Sequence, residues 1–428
     1  MTAQRIPFPT VDEVTRHCLT DDEPETVHVE IHLPGRLDPG RLRKAVREAL
    51  SRHPRILIRQ AAGRWWHRRY EWELTEEPDT EPVSWPGGTL EDARRRAVTD
   101  NPPLSASPPI RIEVIEQGGG CVLVVTMNHT ALDGPACLRV LATAAELYGG
   151  ADNSPAPAPV RTGGGGTAPE PPPANSNWAR PARIATSGRT RASGNGMHIA
   201  DLPLPTRPKG SPYTVNDQLL VATCLMVGRW NREHGQRAHP VRITMPVDDR
   251  PRTAEMPIGN GTRLVEVTFG TEERAAAREP ADPAAIERML RATAARTRAL
   301  KAAPRPQLGF SAALLTAPVL PVGIRAAFTR ALRNAAGPWA STTLLSNIGR
   351  VPYPLDFGEA GRASAVWFSA PARMPRGLSV TTVSTDGRLQ LALRWSHARL
   401  DDTAGNRLGE LFAESLAATA LTDTEAAP

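Results

Sequence analysis

Cys121-Val122-Leu123-Val124-Val125-Thr126-Met127-Asn128-His129-Thr130-Ala131-Leu132-Asp133-Gly134 runs from a nearly unbroken apolar stretch into a polar turn. An apolar run this short, preceded by a glycine-rich loop (116–120) and a second apolar stretch, Ile110–Ile115, predicts a buried hairpin. Beyond the turn, Leu138, Leu141, Ala145 and Tyr148 recur at helical spacing and predict a helix over 132–147. His129 therefore stands where a strand gives way to a loop, a position where a rigid sheet can hold a side chain while the loop leaves room for a substrate. Imidazole titrates near neutrality, so a histidine there suits general-base chemistry. Asp133 is placed to lock the turn by pairing with an arginine, and Gly134 permits a tight backbone at the helix start. Taken alone, His-x-x-x-Asp-Gly is a weak signal. A lone histidine at a strand end is more often a satisfied structural residue, and one histidine with one carboxylate is too small a ligand set for a metal.

Outward from this segment the chain reads as α/β (α+β) in two patterned parts. The N-terminal part, 1–150, opens with a short helix near Thr10–Cys18 and the alternating stretch Val27–Leu33, a predicted half-buried strand. Asp38 and Pro39 mark the start of a helix carrying Leu42, Val46 and Leu50 on one face. Residues 151–196 include Gly163–Gly166 and Pro171–Pro173 and predict a mobile Pro/Gly-rich linker. The C-terminal part, 197–428, shows helices over Asn216–Asn231, Asp282–Lys301 and Asp402–Leu416. Its predicted strands are Val241–Pro246, Arg263–Val267, Thr343–Asn347 and the hairpin Leu378–Ser384/Leu389–Trp395.

Composition narrows the function classes. With 40% hydrophobic and 22% charged residues the chain is of the globular kind. No apolar run approaches the ~18 residues of a membrane span, and no signal peptide is read, so a cytoplasmic protein with no membrane partner is expected. The four cysteines lack metal or disulfide spacing, and Cys121 and Cys224 fall in apolar runs as core residues. Net charge is +6, yet no basic cluster is interleaved with aromatics, which argues against nucleic acid and leaves an acidic partner open.

Asn128–Gly134 resembles the HHxxxDG signature of nonribosomal peptide synthetase condensation domains, of the superfamily that includes chloramphenicol acetyltransferase and plant acyl-CoA-dependent acyltransferases. Four further segments are similar to that family, in the same order. They are Val215-Asn216-Asp217-Gln218-Leu219-Leu220, Met245-Pro246-Val247-Asp248-Asp249-Arg250, Ile258-Gly259-Asn260 and Ser346-Asn347-Ile348-Gly349-Arg350-Val351-Pro352; Asp356-Phe357-Gly358 resembles part of the plant motif. The resemblance covers roughly residues 8–420. It implies two chloramphenicol acetyltransferase-like lobes in a V-shaped pseudodimer with a central tunnel. It implies His129 as the catalytic histidine, Asp133 and Arg250 as a structural pair across the lobes, Gly134 N–H as an oxyanion donor and Asn347 as a tunnel-lining residue. The sequence departs from the pattern at Asn128, where the family carries a first, mainly structural histidine.

The expected function is therefore a free-standing condensation-type acyltransferase of natural-product biosynthesis, for no adenylation signature or carrier-type serine segment is seen. Its donor would be acyl-CoA or acyl-phosphopantetheine on a carrier protein, and its acceptor a small amine or alcohol. Neither a tightly bound cofactor nor a metal is expected, and the resemblance favours a monomer. Two alternatives remain beside it: a non-catalytic carrier-binding protein and a condensation-like enzyme repurposed for cyclisation.

Overall fold

The computed structural model describes residues 4–20, 22–157, 179–188, 192–251, 253–276, 282–303, 307–308 and 310–421. The described strands form three sheets. The first is centred on β7 (Gly120–Asn128), antiparallel to both β6 (Ile110–Gln117) and β2 (Thr26–Leu33). Outside these lie β5 (Val83–Ser84), parallel to β6, and β12 (Ala365–Ser369), antiparallel to β2. A second sheet has the order β10 (Thr262–Phe269), β9 (Val241–Asp248), β11 (Thr343–Arg350), β13 (Leu378–Thr385), β14 (Arg388–Ser396) and β8 (Asn195–Pro203). Only β11 runs parallel to its neighbours there. A small third sheet joins β1 (Arg5–Pro7), β4 (Glu71–Leu74) and β3 (Ile58–Gln60).

Every residue of β7 is buried, because the first sheet is covered on both faces. Helices α2 (Pro39–Arg52) and α4 (Gly134–Gly149) bring Leu42, Val46, Leu138 and Leu141 into one core with Leu123 and Val125. Helix α3 (Leu90–Thr99) packs Ala93 and Ala97 on the other face against Val122 and Val124. That second covering also changes the reading of β2. Its alternation predicts a solvent face, yet His28 and Glu30 are fully enclosed. Arg94 of α3 donates to both Glu30 oxygens, at 2.7 and 2.9 Å, and His28 Nε2 lies 2.9 Å from the same carboxylate. Burial alone would raise the Glu30 pKa; hydrogen bonds from His28, His32 and Arg94 hold it well below the usual range.

The second sheet carries its own core. Leu219 and Trp230 of α5 (Val215–Glu233) and Leu408 and Phe412 of α10 (Asp402–Ala417) pack with Ile243, Leu391 and Leu393. Helix α7 (Pro283–Ala302), capped by Asp282, adds Ile286 and Leu290. Among the described residues the other α-helices are α1 (Thr10–His17), α6 (Thr271–Ala276), α8 (Phe310–Leu315) and α9 (Val322–Ala336).

The chain crosses between cores late. Tyr353, Phe357, Val366 and Phe368, from the C-terminal part, pack in the first core and not the second. Gly149 makes this possible: a Cβ there would stand 2.4 Å from Gly358 N. In return, the fully buried Arg394 of β14 donates to the carbonyls of Thr26, Pro24 and Val98 at 2.7–3.1 Å. About half of the predicted linker, 158–178 and 189–191, lies outside the described residues. Its described flanks are anchored, contrary to a wholly mobile segment: Asn153 is bonded to Asp356 and Ile184 is fully buried. No described helix is long and apolar enough to cross a membrane.

Candidate active site at the end of strand β7

Strand β7 delivers Asn128 and His129 to the end of the first sheet. Asn128 is buried, its amide donating to Pro102 O at 2.9 Å and its Oδ1 accepting from Thr130 N at 3.1 Å. It thereby ties the strand end to a neighbouring loop and closes the turn, a backbone-satisfying role suited to a short amide. His129 is half-buried. Its Nδ1 lies 2.9 Å from Leu132 O, and since a carbonyl only accepts, Nδ1 carries the proton of the neutral ring. Nε2 is then left with its lone pair, the form a general base requires.

Asp133 caps α4 through Ala136 N at 3.0 Å and also faces the other core. Arg250 Nη2 reaches both Asp133 oxygens at 2.9 and 2.8 Å, and Gly261 N donates to the same carboxylate at 2.9 Å. Arg250 is itself held by Asp248 and by the carbonyls of Pro257 and Gly259. Burial opposes its charge, but the carboxylates of Asp248 and Asp133 raise its pKa above the ordinary value. Side-chain exposures of 10% and 4% leave this pair only weakly screened by solvent.

Gly134 begins α4 under the ring of Phe368, from β12; a Cβ would fall 2.2 Å from that ring. Asn347, on β11, accepts from Gly349 N and Thr382 Oγ1 and bonds Asn216. It lines two cavities at once. One, of about 430 Å³, is walled by Pro135 and Leu138 of α4, by Asp248 and Arg250, and by Phe368. The other, of about 530 Å³, extends past Val215, Arg350 and Ser384. His129 is not among the residues lining either cavity; Pro135 of its own turn lines the first. Among the described residues no cluster of His, Cys, Asp or Glu is arranged to hold a metal.

The site also contains Asp12 and Trp72, which the sequence reading passed over, and gives Asn260, quoted there only within the Ile258–Asn260 segment, specific contacts. Asn260 donates to the carbonyls of His129 and Thr130 at 3.1 and 3.0 Å, and to Asp12 Oδ1 at 2.9 Å. Trp72 Nε1 donates to the other Asp12 oxygen at 2.8 Å. Burial pushes the Asp12 carboxyl up to about 6, against these hydrogen bonds and the nearby Arg55 and His129. No periodicity marks Asp12, which occupies an ordinary position in the first turn of α1.

No known family profile matches the chain. Two curated sequences from Mycobacterium tuberculosis, the uncharacterized proteins Rv2305 and MT2362, are each 26% identical over 420 residues, spanning 91% of this chain and 94% of theirs. Among solved structures, the condensation domain of the monacolin K polyketide synthase MokA aligns with a TM-score of 0.62 at 13% identity, covering 97% of both chains. The trichothecene 15-O-acetyltransferase TRI3 of Fusarium sporotrichioides aligns at 0.63 and 11% identity, covering 97% of this chain and 95% of its own. The starter condensation domain of the rhizomide synthetase RzmA, solved with C8-CoA, aligns at 0.61 and 13%, covering 96% and 93%.

The chain has the condensation-domain fold. In this fold the segments singled out by sequence converge: the turn after β7, the strand end at Arg250, the Gly259–Asn260 turn and β11 meet around Asp133 and the first cavity. Asp356-Phe357-Gly358 is remote in role. Phe357 is buried against Tyr148, and the Asp356 side chain caps Gly358 N.

Proposed function

We propose that the chain transfers an acyl group from a thioester, CoA- or carrier-bound, to the amine or hydroxyl of a small acceptor in natural-product biosynthesis. The observation that carries this reading is the Nδ1–H bond from His129 to Leu132 O, which leaves Nε2 as a base at the strand end, on the turn whose Pro135 lines the first cavity. The acceptor gives its proton to Nε2 as its lone pair attacks the thioester carbonyl carbon. The resulting oxyanion is met by the first turn of α4, with Gly134 N–H as the assigned donor. Collapse of the tetrahedral intermediate breaks the C–S bond, and the departing thiolate takes the proton from the imidazolium. Asp133 and Arg250 hold the turn and the second core together and stay out of the chemistry.

The test incubates wild-type protein and His129→Ala with acyl-CoA and acyl-carrier donors and a set of amines and alcohols, with products followed by mass spectrometry. Acylated acceptor formed by the wild type and lost in the variant is expected. Wild-type protein inert with every donor, while still binding a carrier as tightly as the variant, would make the carrier-binding alternative the better account.

A further inference from the structure

Nine of the ten large apolar side chains that stand exposed among the described residues lie in two segments, 65–66 and 314–339. The two segments meet. Gly323 N donates to Trp65 O at 2.8 Å and Val322 N to His67 O at 2.7 Å. From that junction Ile324, Phe328 and Leu332, spaced by four, run along one face of α9, 44–60% exposed. The opposite face is committed inward: Arg325 is buried and pairs with Glu13 of α1 at 2.6 Å. Leu314 and Val319, 79% and 74% exposed, extend the same region. A contiguous apolar surface of this kind marks an interaction site.

Its charge is one-sided. Residues 314–339 hold no Asp or Glu, with Arg330 and Arg333 beside the buried Arg325, and Ala61–Tyr70 holds none against Arg64, Arg68 and Arg69. Beside the junction opens a cavity of about 310 Å³ whose walls include Arg5, Arg16, Arg64 and Arg69 with Glu71 as the one acid. Tryptophans stand at both ends of the helix face, Trp65 and Trp66 before α9 and Trp339 just after it. Each end carries an arginine on a ring, Arg64 over Trp66 at 5.0 Å and Arg180 over Trp339 at 5.2 Å.

We propose that this face docks the protein peripherally on an anionic phospholipid bilayer, with Phe328 and its neighbours in the headgroup–acyl boundary and a headgroup phosphate in the arginine cavity. Aromatic residues flanking an apolar helix face, rimmed by arginine, match the layering of a membrane interface. A folded protein partner needs directional polar pairs across its interface, about one hydrogen bond per 100–200 Å². The exposed face of α9 offers only Ala, Ile, Phe and Leu around Arg330 and Asn334, whereas lipid tails require no such pairing. The absence of a spanning run, from which the sequence reading excluded a membrane, does not bear on a surface assembled from segments some 250 residues apart. This inference stands independently of the acyl-transfer reading.

The experiment sediments the full chain with phosphatidylcholine vesicles, with and without phosphatidylglycerol, and follows tryptophan emission. Binding to the phosphatidylglycerol vesicles, a blue shift, and weakening by salt are expected. Phe328→Ser with Leu332→Ser should lower partition on the order of tenfold or more, and Trp65→Ser, on a separate segment, should lower it as well. Thermal midpoints of all variants are measured alongside. Arg64→Ser with Arg69→Ser should remove the preference for anionic lipid. A chain that stays in the supernatant, that binds neutral vesicles equally, or whose apolar variants partition like wild type overturns the proposal. So does protection of α9 from deuterium exchange by an acidic carrier protein but not by vesicles, which assigns the face to a protein.

Discussion

Around His129, three side chains do separable things, and their substitutions should separate accordingly. His129→Ala removes the base while leaving the β7 turn to Asn128, Asn260 and Asp133. Turnover should fall on the order of 10²–10⁴-fold with little change in thermal midpoint. Retained turnover would remove His129 from the mechanism. Arg250→Ala strands Asp133 against Gly261 N and Ala136 N without its cation, and breaking a buried pair on one side costs about 3–5 kcal/mol. Denaturant unfolding should register that loss, and Asp133→Ala should cost less in the same background than alone, since the pair is already broken and only the contacts with Ala136 N and Gly261 N remain to lose. Full additivity would mean that the two residues do not act together. Gly134→Ala places a methyl into the Phe368 ring, and Phe368→Leu should recover part of the lost stability if that contact is the cause.

At the scale of elements, much of the architecture is legible from periodicity and capping residues. Asp38 accepts from Arg41 N at the start of α2, Asp282 caps α7, and β13 and β14 pair across the turn before Arg388 as the predicted hairpin requires. What periodicity did not yield has a physical reason. Short pieces such as β1, β3 and β5 span two or three residues, too few to show a repeat. Strand β8 falls partly within the Pro/Gly-rich composition that reads as linker, and β12 takes its order from pairing with β2, far away in sequence. Asn260 is visible in the sequence as part of the Ile258–Asn260 segment, but its partners, two carbonyls and the distant Asp12, are not. Packing between α2 and α4 carries a pH dependence. Burial, with Arg139 and Arg52 nearby, pushes the His53 pKa down to about 4, and its Nε2 lies 2.8 Å from Thr143 Oγ1. The unfolded chain therefore binds this proton between about pH 6.5 and 4 when the folded one does not, so stability drops as pH falls through that window. His17, likewise pushed down to about 4 by burial, adds in the same direction, while Asp12, pushed up, opposes. His53→Gln should flatten the decline of thermal midpoint with acid; an unchanged slope would place the dependence elsewhere.

For the whole molecule, the two cores are held together by more than the chain that joins them. Asp133–Arg250, Arg394 with the carbonyls of Thr26 and Pro24, and Glu13–Arg325 connect parts of the sequence more than 100 residues apart. A protease site inserted within 158–178 and cleaved in the folded protein should thus yield two fragments that co-elute on gel filtration until denaturant is added. Separation under native conditions would show these contacts to be weaker than their burial implies. Strand β12 sets a further consequence, in time instead of space. The first sheet needs Ala365–Ser369 to cover the edge of β2, so during synthesis β2 is made more than 300 residues before its outer partner. At about 5–20 residues per second, that edge waits on the order of tens of seconds at the ribosome. Its exposed backbone is a template for mispairing throughout, and expression yield should respond to chaperone supply and to translation speed between residues 34 and 369.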